Sequence, residues 1–335
     1  MLEEYFVSIG DKKYRGVQIL EWLYRHRIRS FDEMTNLSKR ALEDLKTHFN
    51  LNLLVIEQKL IASDGTTKYL FRLNDQNLIE TVLMRHSYGN SVCVTSQVGC
   101  NMGCSFCASG ELGKVRNLTL SEMIQQVLMV QMDLDQTEER ITNIVIMGIG
   151  EPFDNYDVVL DFLRLANFQK GLEIGARHMT VSTCGIVPKI KEFANFELQV
   201  NLAISLHAAT DELRRQIMKI NRRYPLTELM PAINEYINKT NRRVTFEYIL
   251  LKGVNDSPSD AYALVDLIKG MNAYVNLIPY NEVITKDYQK SSHNSAQVFF
   301  EILRKNNINA TFRIEHGHEV SAACGQLRAQ ALKRE

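Results

Sequence analysis

Three cysteines, Cys100, Cys104 and Cys107, form a Cys-x-x-x-Cys-x-x-Cys run directly after an apolar, strand-like stretch, Ser91 to Val98. Thiolates at this spacing can hold three corners of a cubane iron–sulfur cluster. The fourth iron would then be open to another ligand. An open iron is a position where chemistry can take place, so we expect a reactive centre at this run.

Other uses of cysteine fit this spacing less well. A structural zinc ion usually takes four ligands, from cysteine pairs or from cysteine with histidine. A local fourth ligand is missing, because His86 and Cys93 lie upstream and the next histidine is His178. Ferredoxin-type clusters use four cysteines. The sequence shows neither a secretory signal nor an apolar stretch of membrane length, which predicts a cytosolic protein and disfavours a disulfide.

Composition and length agree with a soluble enzyme. At 335 residues, with 45% hydrophobic and 23% charged side chains, the chain can bury a large core. The 39 basic and 39 acidic residues cancel, so a nucleic-acid surface would have to be a local patch. We define the amino-terminal basic patch as Lys12, Lys13, Arg15, Arg25, Arg27 and Arg29. A solvated helix face would explain these charges equally well.

Residues 1–50 form a predicted helical accessory domain. Apolar side chains recur at helical spacing from about residue 13 to residue 27, and a second helix is expected from Ser38 to Phe49. Residues 51–89 contain three strand-like runs, which predict a small antiparallel sheet joining this domain to the core. The runs are Leu53–Ile61, Lys68–Leu73 and Leu78–Met84.

Residues 90–335 repeat the order strand, loop, helix. The predicted strands are Ser91–Val98, Asn143–Met147, Met179–Thr183, Val200–Leu206, Val244–Leu251 and Tyr274–Pro279. The predicted helices are Leu120–Leu134, Val158–Ala166, Val187–Ala194, Leu226–Ile237, Asp260–Met271 and Ala296–Lys305. Such alternation predicts an α/β fold with a parallel sheet, either an incomplete barrel or a doubly wound sheet. In both, ligands bind at the carboxyl ends of the strands.

The motifs fall at these carboxyl ends. The cysteine run follows the first strand, and Gly148-Ile149-Gly150-Glu151-Pro152 follows the second. Ser182-Thr183, Ser205-Leu206-His207 and Pro279-Tyr280-Asn281 end the third, fourth and sixth strands. Each motif alone could be a turn or a strand cap. Polar or cluster-binding groups at five strand ends favour one shared site.

The cysteine run, together with Met147-Gly-Ile-Gly-Glu-Pro152, resembles the radical S-adenosylmethionine (SAM) superfamily. Further segments are similar to the RlmN/Cfr group of RNA adenine methyltransferases, and the likeness covers nearly the whole chain. They are Cys93–Cys100, Arg116–Leu118, Ser205–His207, Gly253–Asp256, Asn276–Pro279 and Ala322–Leu327. The resemblance implies a partial (β/α)6 TIM-like barrel. It also implies a small amino-terminal accessory domain of helices and antiparallel strands that faces RNA.

The resemblance implies two cofactors. Cys100, Cys104 and Cys107 would bind one [4Fe–4S] cluster, and its open iron would chelate SAM, which is used twice per turnover. The implied SAM contacts are Gly150, Glu151, Ser182, Ser205, Leu206, His207 and Asn281. An electron from an external, flavodoxin-like donor would split SAM to a 5′-deoxyadenosyl radical. A radical is required because carbon 2 of adenine offers no lone pair to an electrophilic methyl group.

By the same resemblance, Cys324 would carry the methyl group as S-methylcysteine and then join the adenine covalently. Glu80 would accept the ring proton. Cys93 would attack the sulfur of Cys324 and expel the methylated base, which leaves a transient Cys93–Cys324 disulfide for a cellular thiol reductant to reopen.

Without the resemblance, residue type and position alone do not assign these catalytic roles. Cys93 could be an apolar strand residue, and Glu80, at the end of a predicted strand, would be expected in solvent. Cys184 is expected to be a small buried residue beside the site. The run Gly317-His318-Glu319-Val320-Ser321 departs from the family pattern just before Cys324, which could change how its loop approaches the RNA.

The implied partners are 23S ribosomal RNA at the peptidyl transferase centre and transfer RNA (tRNA) at the adenosine beside the anticodon, both methylated at carbon 2. The adenine must be extractable, because a base inside an A-form helix cannot reach a barrel mouth. Relatives that methylate carbon 8 are the alternative within the family. An alternative of another class is a non-catalytic iron–sulfur or zinc protein that binds RNA. We expect a cytoplasmic monomer with no membrane partner.

Overall fold

The structure is a computed structural model, which describes residues 2–111, 113–283, 285–313 and 317. Its helices are α1 Leu2–Ser8, α2 Tyr14–Glu21, α3 Lys39–His48, α4 Leu120–Leu134, α5 Tyr156–Asn167, α6 Val187–Phe193, α7 Asp211–Ile217, α8 Leu226–Thr240, α9 Pro258–Ile268 and α10 His293–Lys305. Its strands are β1 Val55–Ile61, β2 Thr67–Arg72, β3 Leu78–His86, β4 Gly89–Cys93, β5 Gln97–Val98, β6 Arg116–Asn117, β7 Ile141–Ile146, β8 Met179–Thr183, β9 Asn201–Ser205, β10 Val244–Leu250, β11 Ala273–Pro279 and β12 Ala310–Phe312.

One sheet organises the molecule, in the strand order β1-β2-β3-β4-β7-β8-β9-β10-β11-β12. In this sheet β1 to β4 pair antiparallel, whereas the pairs in the order β4-β7-β8-β9-β10-β11-β12 are all parallel. The predicted α/β fold with its partial barrel is therefore confirmed. The short strand β12 adds a parallel strand that the sequence pattern did not predict.

The predicted first strand, residues 91–98, is divided in the structure. β4 ends at Cys93, and β5 pairs separately with β6. The chain leaves the sheet at Thr95, whose hydroxyl donates to the Glu80 carbonyl at 2.6 Å and whose N–H donates to the buried Gln126 side chain at 2.9 Å. These bonds replace the sheet ladder and direct the chain into the cysteine run.

The strands β1 to β3 extend the main sheet. They are antiparallel as predicted, but β3 also pairs with β4, so they continue the barrel wall. Tyr69, Phe71, Ile79 and Leu83 pack in the same apolar core as the barrel strands. Both faces of β3 are covered, which explains why residues 78–84 are buried without alternation.

The helices cover the outside of the sheet. α4 has the bounds that the sequence predicts and opens with the predicted capping box, in which the Thr119 hydroxyl accepts from Glu122 N–H. Its inward face buries Met123, Val127 and Val130 against the sheet. The parallel strands are thereby fixed with their carboxyl ends at one mouth.

The amino-terminal helices have a separate small core that includes Phe6, Ile19, Met34 and Leu45. The predicted helix at residues 13–27 is α2 continued by a π-helical turn over Trp22–His26. In the part of the chain that is described, no helix has the length and apolarity needed to cross a bilayer.

Candidate active site

A cavity of about 370 Å³ opens at the carboxyl ends of the barrel strands. Five cysteines contribute to its wall: Cys93, Cys100, Cys104, Cys107 and Cys184. The predicted SAM contacts that also line it are Gly150, Glu151, Ser182, Ser205, His207 and Asn281. The fold therefore brings together, in one cavity, groups that lie up to about 190 residues apart in the sequence.

The cysteine run is held in a loop by bonds to distant parts of the chain. Ser105 N–H donates to the Ile217 carbonyl at 2.9 Å, and the Ser105 and Tyr288 hydroxyls are 2.7 Å apart. The Tyr280 hydroxyl donates to the Phe106 carbonyl at 3.2 Å. The loop is thus fixed against the end of α7 and the segment after β11. This anchoring gives the three thiols defined positions.

The cysteine thiols have the chemistry that a cluster requires. All three are free of disulfides, and burial raises the pKa of Cys100 to about 12. Burial and the neighbouring thiols Cys107 and Cys100 also raise the pKa of Cys104. Without a metal Cys100 and Cys104 are therefore neutral thiols, whereas iron binding would deprotonate cysteine ligands. The donor set therefore fits a cluster held by three thiolates.

Among the described residues, no three cysteine, histidine or carboxylate side chains are gathered around a point that one metal ion could occupy. Cysteines that hold a cubane bind different irons instead of one shared ion. The observation that bears on a cubane is that Cys100, Cys104 and Cys107 all face the same cavity.

Glu151 is a buried carboxylate fixed by backbone groups. Its Oε1 accepts from Phe153 N–H at 3.0 Å and its Oε2 from Cys184 N–H at 2.8 Å. Burial raises its pKa, while these bonds oppose that effect. Glu151 is also part of the cavity wall. A ligand ammonium group would find an oriented acceptor here.

Position 150, directly before Glu151, requires a glycine. Its φ is +107°, a region that side chains rarely adopt. A Cβ there would lie 2.6 Å from the Cβ of Gln97, whose amide oxygen accepts from Glu151 N–H at 2.9 Å. The close approach of the two strand ends therefore requires the second glycine of the Gly-x-Gly motif.

Ser182 and Ser205 end neighbouring strands, and their hydroxyl oxygens are 3.3 Å apart. His207 follows in a left-handed conformation, with φ of 59°. Its Nδ1 accepts from Ile249 N–H at 3.1 Å, and its ring packs edge-on against Phe106 with centroids 5.0 Å apart. Burial, and secondarily the Arg214 charge, lowers the pKa of His207 to about 3. His207 is therefore a neutral imidazole.

Leu206 lies behind the cavity wall with its side chain fully buried. Its N–H donates to the Glu247 carbonyl at 3.1 Å, which fixes the loop between Ser205 and His207. A SAM contact of Leu206 stays a prediction. Cys184 is buried beside the site as predicted, and its backbone N–H holds Glu151.

Glu80 differs from the expectation for an isolated strand-end glutamate. It lies inside β3, is only 3% exposed, and forms an ion pair of 3.0 Å with the fully buried Lys68. Strand alternation places it on the same face as Val82 and Met84, which line the cavity. Solvation was the wrong expectation because both faces of β3 are covered. The Glu80 side chain therefore lies on the face of β3 that is turned toward the interior of the barrel.

Cys93 ends β4 and lies in the cavity wall with Val82 and Met84, at the side formed by β3 and β4. Cys324 lies outside the described residues, and so does most of the departing run, residues 318–321. Gly317 is described, and its N–H donates to Asp64 Oδ2 at 3.0 Å. The predicted pairing of Cys93 with Cys324 therefore stays a prediction.

Some residues of the site were missed by the sequence patterns. Glu247, in β10, lines the cavity with an exposed fraction of only 4%, and Arg313 lines it from the chain end that follows β12. Asn255 ties the strand ends together, because its amide donates to the His207 and Ile249 carbonyls at 2.8 and 2.7 Å. The only sequence signal was the segment Gly253–Asp256, whose role was not assigned.

The family comparisons agree with this fold and site. Residues 94–265 match the model of the radical SAM superfamily, and residues 1–51 match the ribosomal RNA large subunit methyltransferase N-terminal domain. The crystal structure of a radical SAM methyltransferase from Sphaerobacter thermophilus is 44% identical, with a TM-score of 0.93. The match covers 97% of this chain and 96% of that one. Fold and site therefore define a radical SAM enzyme.

Similar proteins with curated names indicate which family of radical SAM enzymes this chain belongs to. A protein of Enterococcus faecalis, named probable dual-specificity RNA methyltransferase RlmN, is 56% identical over all of this chain and 95% of its own length. Proteins of the same name from Listeria welshimeri and Geobacillus thermodenitrificans are both 54% identical. They match 99% and 100% of this chain and 92% of their own lengths. The chain belongs to the RlmN family of radical SAM RNA methyltransferases.

Proposed function

We propose that this protein methylates carbon 2 of adenosine in 23S ribosomal RNA and in tRNA. The observation that carries the proposal is the convergence of Cys100, Cys104, Cys107, Glu151 and Cys93 on one cavity. The names of the relatives support two RNA classes as substrates, because those proteins are called dual-specificity. The amino-terminal match to a ribosomal RNA methyltransferase domain supports ribosomal RNA.

Cys100, Cys104 and Cys107 would hold a [4Fe–4S] cluster, and the other cavity residues would hold SAM. When bound and reduced by an external, flavodoxin-like donor, the cluster would supply the electron that splits SAM to a 5′-deoxyadenosyl radical. Glu151 and the Gly150 carbonyl would accept hydrogen bonds from the SAM amino group. Neutral His207 and the two serine hydroxyls would contact the remainder of SAM without adding charge.

Three further residues would serve the methyl transfer: Cys93, Glu80 and Cys324. Cys324 would carry the methyl group, and Cys93 would resolve the covalent adduct by forming a transient disulfide. Glu80 would accept the proton from the adenine ring, with Lys68 holding the carboxylate in place. A thiol reductant would then reopen the disulfide. We also propose that the protein acts in the cytoplasm and as a monomer.

The modified nucleoside tests this function directly. Nucleosides from ribosomal RNA and tRNA would be compared by mass spectrometry between cells that lack the gene and cells that regain it. We expect 2-methyladenosine to disappear from both RNAs and to return with the wild-type gene, but not with a Cys104→Ala variant. A mark that persists in both RNAs without the gene would contradict the proposal.

The same measurement separates the alternatives. If 8-methyladenosine returned with the gene, the carbon-8 chemistry of the related branch would replace carbon 2. If neither nucleoside depended on the gene while the protein still bound RNA, the non-catalytic interpretation would be favoured. Cys93 and the cluster cysteines are common to both methylation chemistries. Only analysis of the product therefore distinguishes methylation of carbon 2 from methylation of carbon 8.

A further inference from the structure

Arg214 is a buried cation next to the proposed cluster site. It lies in α7, seven residues after His207, and its side chain is fully buried. The mechanism proposed above does not use it. A buried guanidinium is unusual, because removing a charge from water is costly unless a counter-charge compensates it.

The direct partners of Arg214 are neutral. Its Nη2 donates to the Cys184 carbonyl at 2.6 Å, its Nε to the Leu206 carbonyl at 3.1 Å, and its Nη1 to Asn221 Oδ1 at 2.8 Å. Within the described ranges, no carboxylate makes an ion pair with it. One acid, Asp211, is linked to Arg214 through Asn221, whose Nδ2 donates to Asp211 Oδ1 at 2.8 Å. Arginine stays protonated even when buried, so its positive charge is not directly neutralised.

Arg214 lies directly behind the wall of the cavity that the cluster cysteines line. The Cys184 carbonyl that accepts from its Nη2 belongs to a residue of this wall. Cys104 and Cys107 pack against the same apolar cluster as Cys184. One residue thus separates the guanidinium from the cavity of the proposed cluster. Three thiolates around a [4Fe–4S] core give a net negative charge, and one-electron reduction makes it more negative.

We propose that Arg214 is the buried counter-charge of the iron–sulfur cluster and raises the cluster's midpoint potential. This inference rests on the proposed function, since it requires the cluster. A fixed positive charge stabilises the reduced, more anionic cluster more than the oxidised one, and little water is present to screen it. The carbonyl contacts keep the guanidinium in place without neutralising it. An external one-electron reductant supplies the electron.

Redox titration of the reconstituted, full-length protein with dithionite tests this role. The signal is the electron paramagnetic resonance of the reduced cluster, without RNA. Arg214→Gln, which keeps polar contacts to the carbonyls but removes the charge, should shift the midpoint potential to lower values. Arg215→Gln is the matched control, because it removes the same charge from the same helix at an exposed position. Its potential should equal that of the wild type.

A second variant acts in the opposite direction and keeps the test decisive if Arg214→Gln does not fold. Asp211→Asn removes the negative charge that Asn221 links to Arg214, while its amide oxygen can still accept from Asn221 Nδ2 and Leu226 N–H. We expect its midpoint potential to rise. An unchanged potential in folded, iron-loaded Arg214→Gln, or in Asp211→Asn when the first variant is unfolded, would overturn the inference.

Failure of this inference is distinguishable from failure of the proposed function. A merely structural Arg214 would lower thermal stability in the Gln variant and leave the potential unchanged. If the wild type bound the cluster and cleaved SAM while the midpoint potential did not depend on Arg214, only the inference about Arg214 would be wrong. If the wild type held no cluster, both would fall.

Discussion

At the scale of single residues, Glu151 has a sharply defined geometry in the cavity. Two backbone N–H groups hold its oxygens, so the carboxylate is oriented before any ligand arrives. The sequence pointed to this residue because Gly-x-Gly-Glu-Pro follows a strand, and Glu151 does line the cavity. Its partners Phe153 and Cys184 could not be predicted, since they depend on how loops after two different strands pack.

Glu151→Gln should weaken SAM binding by about 10- to 100-fold, the usual worth of a hydrogen bond to a charged group. The amide also turns an NH2 group toward a backbone N–H that now has no acceptor. Equilibrium dialysis of SAM with the reconstituted protein measures the affinity. Glu57→Gln, which alters a surface ion pair with Arg72, is the control and should bind SAM normally. Equal affinity of the two variants would exclude Glu151 from the SAM site.

His207 should make the stability of the metal-free protein depend on pH. Folded His207 stays neutral down to about pH 3, whereas the unfolded chain takes up this proton near pH 6.5. This contribution is therefore present above pH 6.5 and is lost as the pH falls toward 3, by about 1.4 kcal/mol per pH unit.

Denaturant unfolding at several pH values measures this effect. Stability of His207→Gln should fall less steeply with acid than that of the wild type, because the variant has no imidazole to protonate. His178→Gln, at an exposed histidine, should follow the wild-type slope. Identical slopes for all three proteins would mean that His207 is not held neutral in the folded protein.

At the scale of elements, the site depends on how loops join neighbouring strand ends. Asn255 binds three backbone groups around β9 and β10: it accepts from Leu251 N–H at 2.7 Å and donates to two carbonyls. Arg214 connects the ends of β8 and β9 in the same manner. The loops that bear Cys184 and His207 are therefore positioned by buried polar residues, not by the strands alone.

Asn255→Ala should lower the free energy of unfolding by about 2–4 kcal/mol, because it leaves several buried backbone groups without partners. Thermal unfolding followed by circular dichroism measures the loss. The control is Asn234→Ala, on the exposed face of α8, which should not destabilise the fold. If Asn255→Ala unfolded at the wild-type temperature, these bonds would not hold the strand ends.

The main elements could be predicted from hydrophobic periodicity and turn residues, as the bounds of α4 and β8 show. α7 could not, since its seven residues carry few apolar side chains and its buried Arg214 reads as a surface charge. The break after Cys93 was also missed, because it depends on bonds from Thr95 to distant residues. Short elements governed by tertiary polar contacts leave little periodic signal.

At the scale of the whole molecule, the amino-terminal helices are fixed to the barrel by charge pairs. Arg25 binds Glu173 at 2.7 Å, and Arg27 binds Asp135 through two nitrogens, one at 3.0 Å. These two members of the amino-terminal basic patch therefore help to hold the amino-terminal helices against the barrel. The exposed Lys12 and Arg29 are better placed to meet RNA phosphates.

The double variant Lys12→Ala with Arg29→Ala should weaken RNA binding across sequences. It should also reduce the slope of log affinity against log salt by about 1 for each phosphate that the protein no longer neutralises. Filter binding at several salt concentrations measures both. Lys239→Ala, at an exposed lysine of α8, is the control and should leave both unchanged. Unaltered affinity and slope in the double variant would exclude this patch from RNA positioning.

The central claim is that the cavity of five cysteines holds a cluster that cleaves SAM. The most direct measurement is the yield of 5′-deoxyadenosine from anaerobically reconstituted protein given SAM and a low-potential reductant. We predict 5′-deoxyadenosine from the wild type and none from Cys104→Ala. A wild-type protein with full iron and sulfide content that forms no 5′-deoxyadenosine, with or without RNA, would contradict the account.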